Sequence, residues 1–169
     1  MSISMFQVLM SLQRSLTNLT HILEKGAAYA EAKKIDPSVL LQGRLFPDMF
    51  PLVRQVQIAT DIARRGAGRL AGIEAPVMED KETSFGELID RINSTIAWLQ
   101  TLTPEQINGK EAAEITLPLR DTTLTLRGID FLLYFILPNF YFHVTTAYDI
   151  LRHNGVELGK MDYLGKPDF

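Results

Sequence analysis

Apolar residues recur at steps of three and four along most of this chain, and at steps of two in only one short stretch, Ile115 to Leu126. A 3.6-residue period places such residues on one face of a helix, so the chain must bury several helical stripes against one another. The first stripe is Phe6, Leu9, Leu12, Leu16, Leu19 and Leu23, opened by Ser4 and Gln7 as a capping box. Helix formers extend it through Ala27, Ala28, Ala30, Glu31, Ala32 and Lys33 until Asp36-Pro37, which can itself open a short helix over Val39 to Leu41. The loop from Gln42 to Phe50 is apolar enough to be expected to pack on the body. A second stripe follows in Leu52, Val56, Ala59, Ala63, Ala67 and Leu70, with Asp48 as its expected cap and Pro51 in its first turn. Its small residues invite a close neighbour, although Gly66 and Gly68 each cost about 1 kcal/mol of helix propensity.

After a connector from Gly72 to Glu82, Ser84 and Glu87 form a second capping box before Leu88, Ile92, Ile96, Leu99 and Leu102. Thr103-Pro104-Glu105-Gln106 starts one further turn, ended by Asn108-Gly109. The two-residue alternation then predicts a small hairpin turning around Asp121-Thr122-Thr123, with Pro118 confined to an edge. A fourth helix is predicted from Ile129 to Asn154, kinked at Pro138 and closed by Gly155. Beyond it, Met161, Tyr163, Leu164 and Phe169 should lie against the bundle. The fold expected is mainly all-α: an up-and-down four-helix bundle with a small β-hairpin between helices three and four.

At 169 residues the chain suits one domain over residues 1–169, and its 46% hydrophobic content can fill a single core. A net charge of -3 supplies no global field for polyanions, so no nucleic-acid partner is expected. The absence of cysteine excludes a disulfide scaffold, a zinc ribbon, an iron–sulfur cluster and a cysteine nucleophile. Phe131 to Ile150 is long and apolar enough to raise a membrane span, but Pro138, Asn139, His143 and Asp149 within it fit a central bundle helix better. No membrane partner is expected. With no basic stretch or small-residue cleavage site at the start, a cytoplasmic location is expected.

On a helical projection Leu133, Ile136, Leu137, Phe140, Val144, Ala147 and Leu151 share the deep face of the fourth helix, with Asn139, His143, Thr146 and His153 forming a polar seam beside it. Such a seam can line a pocket between helices. His143 can bind a metal, move a proton, or satisfy itself with one neighbour. His153 suits a capping role near the helix end with Asp149, and His21 with Glu24 an exposed pair. The second helix carries Arg54, Arg64, Arg65 and Arg69 against Asp61 alone, which could receive an anionic substrate or RNA but by default reads as a solvated face; Arg54 and Gln55, beside the aromatic loop, are the better pocket candidates. No phosphate loop, dinucleotide fingerprint, nucleophile elbow or His-Glu-x-x-His occurs.

The run from Leu137 through Pro138-Asn139-Phe140-Tyr141-Phe142-His143 to Val156, with Leu158-Gly159-Lys160, resembles a bacterial family of unknown function, as does Arg44-Leu45-Phe46-Pro47-Asp48-Met49-Phe50-Pro51-Leu52 with Gln55-Val56. That family is similar to the DinB/YfiT-like superfamily of four-helix bundles. The resemblance implies a fold often found as dimers and shared with metal-dependent enzymes, some acting on low-molecular-weight thiols. It also implies a metal set of one histidine from helix two and a His-x-x-x-His pair on helix four. Only His143 matches, since Asn139 stands four before it and Ala147 four after, and Gln55 is the polar residue nearest the missing helix-two position. An amide is a poor zinc or nickel ligand, so no cofactor is expected; a divalent ion would have to rest on His143 with Asn139, Gln55 and Asp48 or Asp61. The expected function is a small-molecule-binding or degenerate enzyme-like module with His143, Asn139, Gln55, Asp48, Arg54 and Thr146 at an interhelical pocket. A metal-dependent transferase or hydrolase of the DinB-like type is the alternative, and turnover is left open. A homodimer is expected, and a purely structural dimer through Phe131, Tyr134, Tyr141 and Tyr148 is the third class.

Overall fold

The computed structural model describes residues 3–119 and 121–166. Four long helices dominate: α1 (Met5–Lys33), α3 (Leu52–Ala71), α4 (Phe85–Leu99) and α7 (Leu137–His153), with short helices α2 (Pro37–Leu41), α5 (Pro104–Ile107), α6 (Gly128–Asp130) and α8 (Lys160–Leu164) between and after them. α3 packs against α7 and α4, and α1 against α4, α7 and α8. Both capping boxes form, Ser4 with Gln7 and Ser84 with Glu87. Asp36 caps α2 by accepting from the Ser38 amide at 2.9 Å. The stripes of α1, α3 and α4 contribute to one buried core: Leu9, Leu12, Leu16, Leu19 and Leu23 from α1, Val56, Ala59, Ala63 and Ala67 from α3, and Leu88, Ile92 and Leu99 from α4. Among the described residues, no helix is long and apolar enough to cross a membrane.

Strands β1 (Glu114–Leu119) and β2 (Thr122–Arg127) form the hairpin, with Ile115 opposite Leu126 and Leu117 opposite Leu124. Its turn is shorter than expected. Thr122 and Thr123, expected in the turn, are strand residues that pair with Leu119 and Pro118.

Asp48 does not cap α3. The N-cap is Pro51, and no side chain caps this end. The helix starts later than expected, and its first amide, that of Leu52, donates to the Gly43 carbonyl of the preceding loop at 2.9 Å. That loop is also more open than its composition suggests, with Phe46 and Phe50 exposed.

The fourth long helix is not continuous α. Between α6 and α7 the chain forms a π-helical segment, Phe131–Ile136, in which the Leu137 amide reaches back five residues to Leu132. Pro138 has no amide hydrogen to offer Tyr134 and its ring crowds that carbonyl, so the disturbance expected as a kink takes the form of a wider turn. The extra residue shifts the helical phase. Leu132 and Phe131 are buried, while Leu133, expected on the deep face, is 41% exposed. From Ile136 onward Phe140, Val144, Ala147 and Leu151 return to the expected face. The burial of Phe131 removes it from the suggested partner surface, and Tyr148 stacks edge-on against Tyr163 with centroids 6.0 Å apart. α7 closes as read: Gly155 adopts φ 95°, and the amides of Gly155 and Val156 donate to Arg152 and Leu151. The tail lies on α1, where Asn18 donates to the Tyr163 carbonyl at 2.9 Å and Lys25 pairs with Asp162 at 2.8 Å. Met161 and Leu164 nevertheless stay exposed, and Phe169 lies outside the described residues.

The two α3 glycines that read as costly permit close approach. A Cβ added at Gly66 would stand 2.8 Å from the Ile136 side chain, and one at Gly68 would stand 2.8 Å from the Ile73 carbonyl oxygen and 3.3 Å from Ala75 Cβ. Gly68→Ala should therefore lower the unfolding free energy by about 1–3 kcal/mol through overpacking, despite the better helix propensity of alanine. A higher midpoint for G68A in urea denaturation would show that the connector yields.

Candidate functional site

α3 and α7 lie side by side, and their facing stripes bring Gln55 and His143 together although 88 positions separate them. His143 Nδ1 lies 2.7 Å from Gln55 Oε1. Gln55 Nε2 donates to the Phe50 carbonyl at 3.0 Å. That second bond orients the amide, because a carbonyl can only accept; Oε1 therefore faces the ring and receives the Nδ1 proton. The imidazole is held in one tautomer with its lone pair on Nε2, which makes no hydrogen bond among the described residues. Gln55 is 1% exposed and His143 9%. Burial, and then the positive charge of Arg54, hold the imidazole below its ordinary pKa, so the ring is neutral at neutral pH.

Arg54 sits at the rim. It donates to Gln57 Oε1 at 3.2 Å, is bonded to the Asp80 carboxylate, and places its guanidinium carbon 5.9 Å from the centre of the Phe50 ring. The Phe142 ring stands edge-on to His143, with centroids 5.1 Å apart. The remaining candidates do not converge with them. Thr146 donates to the Phe142 carbonyl of its own helix at 2.7 Å, Asp48 is exposed on the loop, and Asn139, half-buried one turn before His143, makes no hydrogen bond among the described residues. His153 occupies the last turn of α7 but forms no ion pair with Asp149 among the described residues; His21 and Glu24 form an exposed pair at 3.0 Å.

What sequence reasoning missed lies between α3 and α4. Arg91 is buried, and its guanidinium reaches Asp61 at 2.8 Å, Asp80 at 2.9 Å, Glu82 at 2.9 Å, Thr60 at 2.8 Å and the Glu79 carbonyl at 3.0 Å. Burial opposes this charge, but Glu82, Asp61 and Asp80 more than offset it and raise the pKa of Arg91 above its ordinary value. Asp61 also binds Arg64 at 2.6 Å and Arg65 at 3.2 Å, while Gln57 donates to Glu82 at 2.8 Å. The face read as solvated is thus half interior: Arg64 is 1% exposed, whereas Arg65 and Arg69 reach solvent. A signal existed. Arg91 falls on the buried stripe of α4 between Leu88 and Thr95, and Glu79, Asp80 and Glu82 cluster in the connector that precedes it.

A cleft of about 240 Å³ opens between α3 and the π-helical segment, walled by Arg54, Ile58, Ile62, Phe131 and Phe135, with Asp61, Arg65 and Arg69 along its polar side. No group of three or more His, Asp or Glu residues suited to a metal ion occurs among the described residues.

Two measurements probe this geometry. Arg91→Ala leaves Asp61 and Glu82 part-buried without their shared cation and should cost about 3–5 kcal/mol in urea denaturation, whereas Arg65→Ala at the exposed arm should cost less than about 1 kcal/mol. Equal costs would show that the network is not a buried unit. Because the folded pKa of His143 is depressed, the unfolded chain takes up its proton first as pH falls. Stability from this group is complete above about pH 6.5 and is lost as pH drops toward the folded pKa, by at most about 1.4 kcal/mol per pH unit. His143→Asn should flatten that part of the pH profile, and an unchanged slope would assign the dependence elsewhere.

No curated protein matches this chain. A solved structure described as a DinB family member protein from Shewanella denitrificans is 42% identical, covers 97% of this chain and 93% of its own, and superposes with a TM-score of 0.88. The model of a domain of unknown function, DUF1993, matches residues 5–164. With nearly all of the bundle inside that match, the chain belongs to the DUF1993 family.

Proposed function

We propose that this protein is a cytoplasmic small-molecule-binding or degenerate enzyme-like module on a DinB-like scaffold, whose ligand meets His143 Nε2. The observation that carries the reading is the Gln55–His143 pair. An amide that holds Nδ1 and is itself held by the Phe50 carbonyl leaves one preoriented, neutral nitrogen as a hydrogen-bond acceptor or proton acceptor. The charge of Arg54 reaches the imidazole and the Phe142 ring stands edge-on to it, so a ligand with one donor group and an apolar body is the chemistry that suits the place.

The donor set does not fit a three-histidine metal centre. Gln55 turns its oxygen to His143, and a neutral amide paired with a single imidazole falls short of the nitrogen, sulfur or carboxylate ligands that zinc or nickel requires. A homodimer belongs to the same reading, favoured by Phe46, Phe50, Phe142 and Tyr134, each more than half exposed.

The protein purified without chelators should carry less than stoichiometric zinc, nickel or manganese, and its thermal midpoint should move by less than about 1 °C with each ion. Stoichiometric metal that disappears in His143→Ala would overturn the reading in favour of a DinB-like metalloenzyme. Native mass spectrometry should find a bound small molecule lost in the same variant, and light scattering should give twice the chain mass. A strictly monomeric mass would remove the dimer.

A further inference from the structure

A second cleft, of about 330 Å³, shares Arg65 and Arg69 with the first but opens on the other side of them, between the C-terminal half of α3 and the connector that follows it, and is not lined by His143. Arg64, Arg65 and Arg69 form one wall and Ile73, Ala75 and Val77 the other, with Glu74 as its acid. The opening depends on Gly68, which lets the backbone at Ile73 and Ala75 run within van der Waals reach of α3 before the chain turns away. We propose that this cleft binds the phosphate group of a small molecule, its oxygens taken by Arg65 and Arg69 beside the buried Arg64, and its body laid on the apolar wall.

Three observations converge on this site. Arg64 is 1% exposed and binds Asp61 through Nη2, yet its Nε has no hydrogen-bond partner. That nitrogen has no accessible surface, so Arg64 contributes positive charge beneath the cleft rather than a contact to its contents. The charge is also unbalanced here. Counted with Arg54 and Arg91, five arginines here face Asp61, Glu74, Asp80 and Glu82, with Asp61 shared among Arg64, Arg65 and Arg91, which leaves one positive charge in excess around the cleft. Arg69 forms no salt bridge among the described residues, and its planar fork suits two phosphate oxygens at once. A half-open cleft of this size with an apolar wall suits a small molecule better than a polymer backbone, and the net charge of -3 gives a polyanion nothing further to hold.

The test titrates the full chain with inorganic phosphate and with glucose 6-phosphate by calorimetry, against sodium chloride at matched ionic strength. Saturable binding weakened about tenfold or more in Arg69→Ala and in Arg65→Ala, and unchanged in His143→Ala, is the expected result. Both arginines are exposed, so these variants fold; Arg69→Lys, which keeps the charge and loses the fork, should recover only part of the affinity. Tighter binding of the sugar phosphate assigns the site to a phosphorylated metabolite, and equal affinity assigns it to free phosphate. Heats no larger than those of sodium chloride, or affinities untouched by Arg69→Ala, would overturn the proposal.

Discussion

A guanidinium taken out of water must find anions, and that requirement at Arg91 organises one half of this molecule. Its partners come from two places in the chain: Thr60 and Asp61 on α3, and Asp80, Glu82 and the Glu79 carbonyl on the connector. Meeting them pins the connector across α3 and α4, two elements that would otherwise touch only through apolar stripes. The same carboxylates pass the constraint onward. Asp61 draws Arg64 inward, and Asp80 holds Arg54 where its charge reaches His143. The buried ions add less to net stability than their number suggests, since desolvation offsets much of the attraction. Their effect is positional: with all partners present, one arrangement of the connector is far better than any other.

The second constraint is steric. Pro138 cannot complete an α-turn with Tyr134, and the chain responds by widening the preceding turn to π geometry. One residue is absorbed, and the helix on either side is out of phase by that residue. Phe131 and Leu132 turn inward while Leu133 turns out, and Phe131 and Phe135 stack with centroids 5.4 Å apart along one wall of the cleft beside α3. Ile136 then lodges against α3 where Gly66 leaves room. A proline and a glycine 72 positions apart are thus two parts of one packing solution, and together they set the spacing at which His143 meets Gln55.

The bundle was legible because helical periodicity is a local property. The stripes of α1, α3 and α4, the capping boxes at Ser4 and Ser84, the left-handed close at Gly155 and the hairpin pairing all depend on residues within a few positions of one another. Gln55 and His143 were each identifiable as polar residues on the shoulder of an apolar face. Their bond was not, because sequence carries no measure of the rotation and offset between two packed helices. The expected pocket members parted for the same reason: Thr146 finds its partner within its own helix, and Asp48 stays on the loop before a helix that starts later than expected.

Residue order alone determined which segments coil and the inward faces of α1, α3 and α4, since these follow from backbone propensity and from the separation of apolar from polar side chains along a helix. Only the assembled bundle decided the partners of buried charge, the direction in which Leu133 points, and the tautomer of His143. Each of those outcomes is a compromise among groups distant in the chain, settled by desolvation and close packing once the helices meet.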